Sequence, residues 1–217
     1  MYKAILFDWE TLGNKPTSVV LDLAAVVFNL DGDDVFEDLI VDPDRTFRAK
    51  FDVTEQLSIW KRTTDKSTIA WWKQQGEDAQ KVLKPDSRLD VSLEEGMTKF
   101  KDFANRHKIT NSKETLGYVR GQSFDFPILA NVVQSIWPDF DYTMFPVAFW
   151  NQRDTRTALA HDLCTPMNTK CPLPEGIFKE FVAHNSIHDC ARDVISLQRA
   201  WKYKLGEIEI PEKFQLY

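Results

Sequence analysis

Apolar and polar positions change rhythm along the chain, and the changes predict the elements. Residues 2–8, YKAILFD, form an apolar run dense enough for a buried strand. Residues 18–30, SVVLDLAAVVFNL, are apolar and β-branched, and Asp31-Gly32-Asp33 follows them, so a second strand and a hairpin turn are predicted. A third strand is expected within 35–50. Strands joined by short turns are antiparallel, so this opening reads as a β-meander. The pattern then becomes helical. Asp65 or Ser67 is placed to cap a helix that carries Trp71 and Trp72 and stops near Gly76. Ser92-Leu93-Glu94-Glu95 is a capping box that opens a helix through Phe100, Phe103 and Ala104. Residues 115–120 read as a strand, Ser123 as the cap of a helix with Pro127 in its first turn, 146–150 as a strand and 154–163 as a helix. A long amphipathic helix is predicted from Ser186 to Lys204, with Ile187, Ala191, Val194, Ile195, Leu197 and Trp201 on its apolar positions. The layout is α/β, a mixed β-sheet flanked by helices.

Composition narrows the class. The chain has 217 residues, 43% hydrophobic and 28% charged. That suffices for one buried core and is short for two, so a single domain over 1–217 is expected. No apolar run is long enough to span a bilayer, and MYKAILFDWE places an Asp inside its first apolar stretch, unlike a signal peptide. Three cysteines, Cys164, Cys171 and Cys190, without a zinc-type CxxC, fit reduced thiols in a cytoplasmic compartment. The net charge of −6 argues against a nucleic-acid partner, which usually meets a basic surface. Carboxylates gathered around divalent cations would reverse that sign where a phosphate must sit.

Four places carry candidate chemistry, and each alone has a plain reading. Asp8 and Glu10 end the first strand two positions apart, so they share a face and can converge on a cation; two solvated acids in a turn would look the same. Asp125 sits in the first turn of a helix, where the dipole favours an acid in any case. His184 and Asp189 flank the start of the last helix, and either is compatible with a structural role. Trp71 and Trp72, being adjacent, cannot share a helix face: one is expected to pack inward, the other near a substrate groove with Lys73. Arg153, Asp154 and Arg156 fit a cap with salt bridges as well as phosphate contacts.

The order of these pieces resembles the DEDD exonuclease superfamily, in its subgroup with a catalytic histidine. The residues are FDWET at 7–11, SFDFPIL at 123–129 and HNSIHDC at 184–190, with Ser186 and Cys190 as small substitutes for alanine in the pattern H-x-A-x-x-D-A. DKSTIAWWKQQ at 65–75, FWNQRDTRT at 149–157 and CPLP with FVAHNSIHDCARD within 171–193 are similar to the DexA-type exonucleases of T-even bacteriophages. The resemblance covers about residues 4–205. It implies a ribonuclease H-like fold and 3′–5′ hydrolysis of single-stranded nucleic acid with a free 3′ end, releasing nucleoside 5′-monophosphates in the host cytoplasm if phage-encoded. Two Mg²⁺ ions, replaceable by Mn²⁺, would be held by Asp8, Glu10, Asp125 and Asp189, with His184 as general base. Thr11, Leu12 and Gly13 would hold the terminal nucleotide. Phe124 is placed to stack on a base or, equally, to pack in the core.

Three alternatives compete. LFDWETLG resembles the Asp-x-Asp-Gly-Thr opening of haloacid-dehalogenase-type phosphatases, but position 10 is Glu and no later Gly-Asp-x-x-x-Asp follows. A non-catalytic binding module would have no need of a complete ligand set. Within the nuclease reading, the phage resemblance favours DNA while wider relatives trim RNA, and a 2′-hydroxyl contact is not evident. A second histidine pair, His188 with Asp193, repeats the spacing of His184 with Asp189. The first is preferred, because small Cys190 and Ala191 follow Asp189, Ser186 takes the small position, and Asp189 lies nearer the helix N-terminus.

Overall fold

The computed structural model describes residues 3–110, 114–165 and 169–217. Its central sheet has six strands in the order β4-β3-β2-β1-β5-β6. β1 (Ala4–Thr11), β2 (Val20–Phe28) and β3 (Thr46–Phe51) form the expected antiparallel meander, while β5 (Leu116–Val119) runs parallel to β1 and β6 (Gln152–Asp154) parallel to β5. β4 (Asp90–Val91) lies parallel to β3 at the other edge. All nine residues of β2 are buried, which is what a continuous apolar run in mid-sheet requires.

Alternation along β1 builds two cores. Ile5, Phe7 and Trp9 face α4 (Leu93–Arg106) and α5 (Gln122–Ile136), in a cluster with Phe100, Phe103, Phe126 and Leu129. Ala4 and Leu6 face α7 (Ser186–Leu205), in a cluster with Ile187, Cys190, Ala191 and Val194. Each large side chain fully buried here contributes roughly 1.5–3 kcal/mol. The same alternation puts Asp8 and Glu10 on the α7 side. α7 can approach closely because Ser186, Cys190 and Ala191 are small and fully buried against the sheet. Gly206, left-handed with φ 69°, ends it.

Several boundaries differ from the sequence expectation. The strand expected within 35–50 is β3, at the end of that span; ahead of it lies a short helix, α1 (Phe36–Leu39), whose Phe36 and Leu39 roof the α7 core. The β2–β3 connection is therefore no tight hairpin. Ser123 does not cap α5: the helix begins at Gln122, whose amide is taken by the Asp154 carboxylate at 3.2 Å, and Pro127 falls in the second turn. Residues 146–150 form no strand. Phe149–Asn151 is a 3₁₀ turn, and the strand is the polar Gln152–Asp154, whose edge position asks only for backbone pairing. The capping predictions at Asp65 and Ser92 hold, in α3 (Lys66–Trp72) and α4. α2 (Val53–Ser58) follows β3, and α6 (Thr155–Asp162) follows β6. Near the C-terminus, β8 (Phe214–Leu216) pairs with β7 (Pro172–Pro174), outside the central sheet. Among the described residues no helix is long and apolar enough to cross a membrane.

Candidate active site

The site forms at the carboxyl ends of β1 and β5, where parallel strands stop and helices begin. β1 outruns β5, so the Trp9 amide has lost its ladder partner; it donates instead to the Asp125 carboxylate on α5 at 3.3 Å. The β1–β2 register slips between Glu10 and Thr11, a bulge that re-aims the end of the strand. Ala24, opposite Asp8 on β2, leaves room for α7, whose Cys190 thiol reaches the Ala24 carbonyl.

Five predicted residues are brought together. Glu10, His184 and Asp189 offer ligand atoms all within 4.8 Å of one another. Asp8 and Asp125 stand beside this trio, close enough that the Asp8 charge is felt with those of Glu10, Asp125 and Asp189. Burial pushes the Asp8 and Glu10 carboxyls well above the usual carboxylate range, and neighbouring carboxylates push them further. Burial likewise raises Asp125 to about 7, and raises Asp189 despite the Arg192 charge beside it. Four carboxylates so placed repel one another and are largely withheld from solvent, a condition that hard divalent cations relieve through oxygen ligands. The donor set therefore fits Mg²⁺ or Mn²⁺.

His184 adopts a left-handed backbone, φ 63°, and its amide donates to the Asp189 carboxylate at 2.8 Å. That bond folds the segment so that the imidazole faces the acids. The ring lies edge-to-face against Trp71 of α3, centroids 4.7 Å apart, while Trp72 is buried and donates its indole N–H to the Thr11 carbonyl at 2.8 Å. The two adjacent tryptophans thus diverge as expected, one into the core and one beside the site. His188, one turn on, accepts from the Val182 amide through Nδ1 at 3.1 Å and packs against Phe36 and Phe181. Asp193 is buried between Arg120 and Arg192, with Arg192 Nε at 2.9 Å.

The residues after Glu10 are less open than the resemblance implies. The Thr11 side chain is buried, and its hydroxyl donates to the Gly13 carbonyl at 2.6 Å. Leu12 is half-buried over the small core that contains Trp72. At Gly13 a Cβ would come within 2.5 Å of the Ser18 hydroxyl, so any larger residue there must displace the Ser18 side chain. Phe124 is half-buried against the main core. Asp154 serves as the N-cap of α6, with its oxygen 2.8 Å from the Thr157 amide, and the Arg156 guanidinium bonds the Arg120 carbonyl.

Some supports had no signal in the sequence. Arg62 is buried without a carboxylate partner among the described residues. It donates to the carbonyls of Ser18 and Pro16, both at 2.8 Å, and to Asn131 at 3.0 Å, pinning the loop behind Gly13; burial lowers its pKa to about 10. Asp22, opposite Glu10 on β2, is fully buried and holds the Arg48 guanidinium through Nε and Nη2 at 3.0 and 2.6 Å.

The same chain-wide pattern recurs in known proteins. The family described as the 3′-5′ exoribonuclease Rv2179c-like domain matches residues 3–201. The chain belongs to this family. The exodeoxyribonuclease of Enterobacteria phage T4 is 38% identical over 96% of this chain and 93% of its own length. Membership makes the chain a 3′–5′ exonuclease. Solved structures share the fold at low identity. The RNase domain of yeast Pop2 is 12% identical with a TM-score of 0.54, over 97% of this chain and 80% of that one. Cell-death related nuclease 4 is 13% identical with a TM-score of 0.55, over 94% and 64%. The E. coli exonuclease I–single-stranded DNA complex is 12% identical with a TM-score of 0.53, and this chain spans only 42% of that longer one. The ribonuclease H-like mixed sheet flanked by helices follows.

Proposed function

We propose that this exonuclease degrades single-stranded DNA from the 3′ end, releasing nucleoside 5′-monophosphates with the help of two Mg²⁺ ions. The observation that carries the reading is the convergence of Asp8, Glu10, Asp125 and Asp189 with His184 at one strand end. The four carboxylates would hold the ions. When bound, such ions stabilise charge on the attacked phosphate and on the attacking and leaving oxygens. His184, unencumbered at its ring nitrogens among the described residues, takes the proton of the attacking water. A new P–O bond forms from that water, and the bond to the 3′-oxygen of the preceding nucleotide breaks. Thr11–Gly13 lies at the end of β1, where the terminal 3′-hydroxyl would be held; Arg62 and the Trp72 indole keep that loop in place. Leu12 and Phe124, each half-buried, would offer apolar surface to the bases.

DNA is preferred over RNA on the strength of the T4 exodeoxyribonuclease relative; the family description, which names an exoribonuclease, supports RNA as the second reading. Matched DNA and RNA oligonucleotides, with free and blocked 3′ ends, separate the two. EDTA should abolish release of mononucleotides, Mg²⁺ or Mn²⁺ should restore it, and Asp8→Asn should lower turnover by a factor on the order of 10³ or more. Full activity after metal removal, or cutting of circular single strands, would refute the mechanism.

A further inference from the structure

A groove of about 690 Å³ borders the catalytic cluster at His184 and Asn185 and is lined as well by residues of β3, of the 78–91 segment and by Lys99 of α4. Its floor is apolar, from Ala49, Val82, Leu89 and Val91. Its walls carry five cations, Arg48, Lys50, Lys81, Lys84 and Lys99, against two carboxylates, Asp78 and Asp86, in a chain whose net charge is −6. Not all five are equally available. Lys50 is committed to Asp90 and to the Lys84 carbonyl. Lys81 and Lys99 make exposed pairs with Asp78 and Glu95 within one helical turn, contacts weak enough to be exchanged for a phosphate. The Lys84 ammonium has no partner among the described residues.

Arg48 is the most informative of the five. Buried Asp22 grips its Nε and Nη2 and leaves Nη1 without a partner among the described residues, at a side chain 42% exposed. A guanidinium fixed from behind, with a free donor facing a groove, is preorganised for an anion. A run of cations beyond the catalytic end is of use only to a chain.

We propose that this groove is the track for the single strand upstream of the scissile bond, with Arg48 as its first phosphate contact and Lys81 and Lys84 as later ones. The proposal rests on the exonuclease reading above and adds a path and named contacts to it.

The test compares kcat/KM on a twelve-residue oligodeoxynucleotide with that on a dinucleotide, which is too short to enter the groove. Arg48→Ala is the direct variant, but it strands the buried Asp22 charge and can unfold the protein. The double variant Lys81→Glu, Lys84→Glu changes only exposed positions and is the deciding one. Its twelve-mer to dinucleotide ratio should fall at least tenfold, through KM, with saturated turnover on the twelve-mer kept. The slope of log KM against log salt for the twelve-mer should weaken by about 1.4, two lost contacts at roughly 0.7 each. An unchanged ratio and slope would overturn the track. So would equal losses on both substrates, which would assign the cations to the terminal nucleotide. If unaltered protein with Mg²⁺ hydrolyses neither substrate, the exonuclease reading has failed instead.

Discussion

His184 with Asp189 and His188 with Asp193 have the same spacing, four residues apart around the start of one helix, yet they meet opposite surroundings. The first histidine sits ahead of α7 in a left-handed turn, beside an acid cluster and an exposed tryptophan. The second lies inside the helix, half-buried between Phe36 and Phe181, with Nδ1 occupied by the Val182 amide and its pKa lowered by burial and by the Arg48 charge. The acids divide in the same way. Asp189 faces Glu10 and Asp8, whereas Asp193 is enclosed by Arg120 and Arg192. Arg192 bridges both acids, but Asp189 keeps one flank among the other carboxylates, whereas Asp193 has a second guanidinium, Arg120, on that side. Spacing alone is shared by both, so the neighbours decide the role.

The sharpest way to break this contrast is a pair of substitutions. His184→Ala should reduce turnover by on the order of 10²–10⁴-fold, the usual cost of a lost general base, with the melting temperature little changed. His188→Ala should keep turnover within a few-fold while lowering stability by about 1–3 kcal/mol, from lost aromatic packing and an unpaired Val182 amide. Measuring turnover and thermal unfolding on both variants checks the two halves together. A large loss of turnover in His188→Ala alone would exchange the roles of the pairs.

A second contrast concerns pH without metal. Asp8, Glu10, Asp125 and Asp189 have pKa values raised in the folded protein, so over this window the folded state binds more protons than the unfolded one. The metal-free protein should therefore lose stability as pH rises from about 4, the unfolded carboxylate value, through about 7, where Asp125 titrates. His188 acts in the opposite sense: its depressed folded pKa makes it a source of stability above about 6.5 that is lost as pH falls. His107, lowered mainly by burial, acts in the same sense as His188, but with four carboxylates against two imidazoles, thermal unfolding in EDTA should follow the carboxylates, a difference on the order of a few kcal/mol. Mg²⁺ should remove most of the slope, and Asp125→Asn should flatten it. A metal-free melting temperature that climbs steadily from pH 4 to 7 would contradict the cluster's electrostatics.

How far these features were legible in the sequence follows from how local their causes are. The β1 run, the caps at Asp65 and Ser92 and the amphipathic span of α7 are decided within a dozen residues, and all three were readable. So was the divergence of Trp71 and Trp72, which adjacency on a helix forces. The edge strand β6 was misplaced because its pairing uses backbone alone and its residues are polar. α1 was not distinguished within the span that holds β3, because periodicity over four residues cannot separate helix from strand. The grip of Asp22 on Arg48, the Arg62 anchor and the enclosure of Asp193 join positions 26 to 73 residues apart. Apart from Arg192, which adjoins Asp193, nothing near those residues announces the partner. The candidate ligands could be named only because a family resemblance carried long-range information that composition and spacing lack.

The smallest expected effect tests whether the contrast between the histidines extends to what holds each ring. His188 is fixed by a hydrogen bond and two phenylalanines. His184 has its backbone tied to Asp189, but among the described residues its ring is oriented by aromatic contact, with Trp71 at 4.7 Å and 78° and Trp72 farther off at 6.2 Å. An edge-to-face pair of this kind contributes about 0.5–1.5 kcal/mol, so losing it should lower the population of correctly aimed imidazole by roughly 2- to 10-fold. Trp71→Ala should therefore reduce kcat by about that factor. KM for a dinucleotide should hold, because Trp71 is not needed for the carboxylates to meet the phosphate. Trp71→Phe, which keeps a ring edge for the imidazole, should recover most of the loss. A drop in Trp71→Ala that appears in KM, or that Phe fails to rescue, would assign Trp71 to the nucleotide instead of the histidine.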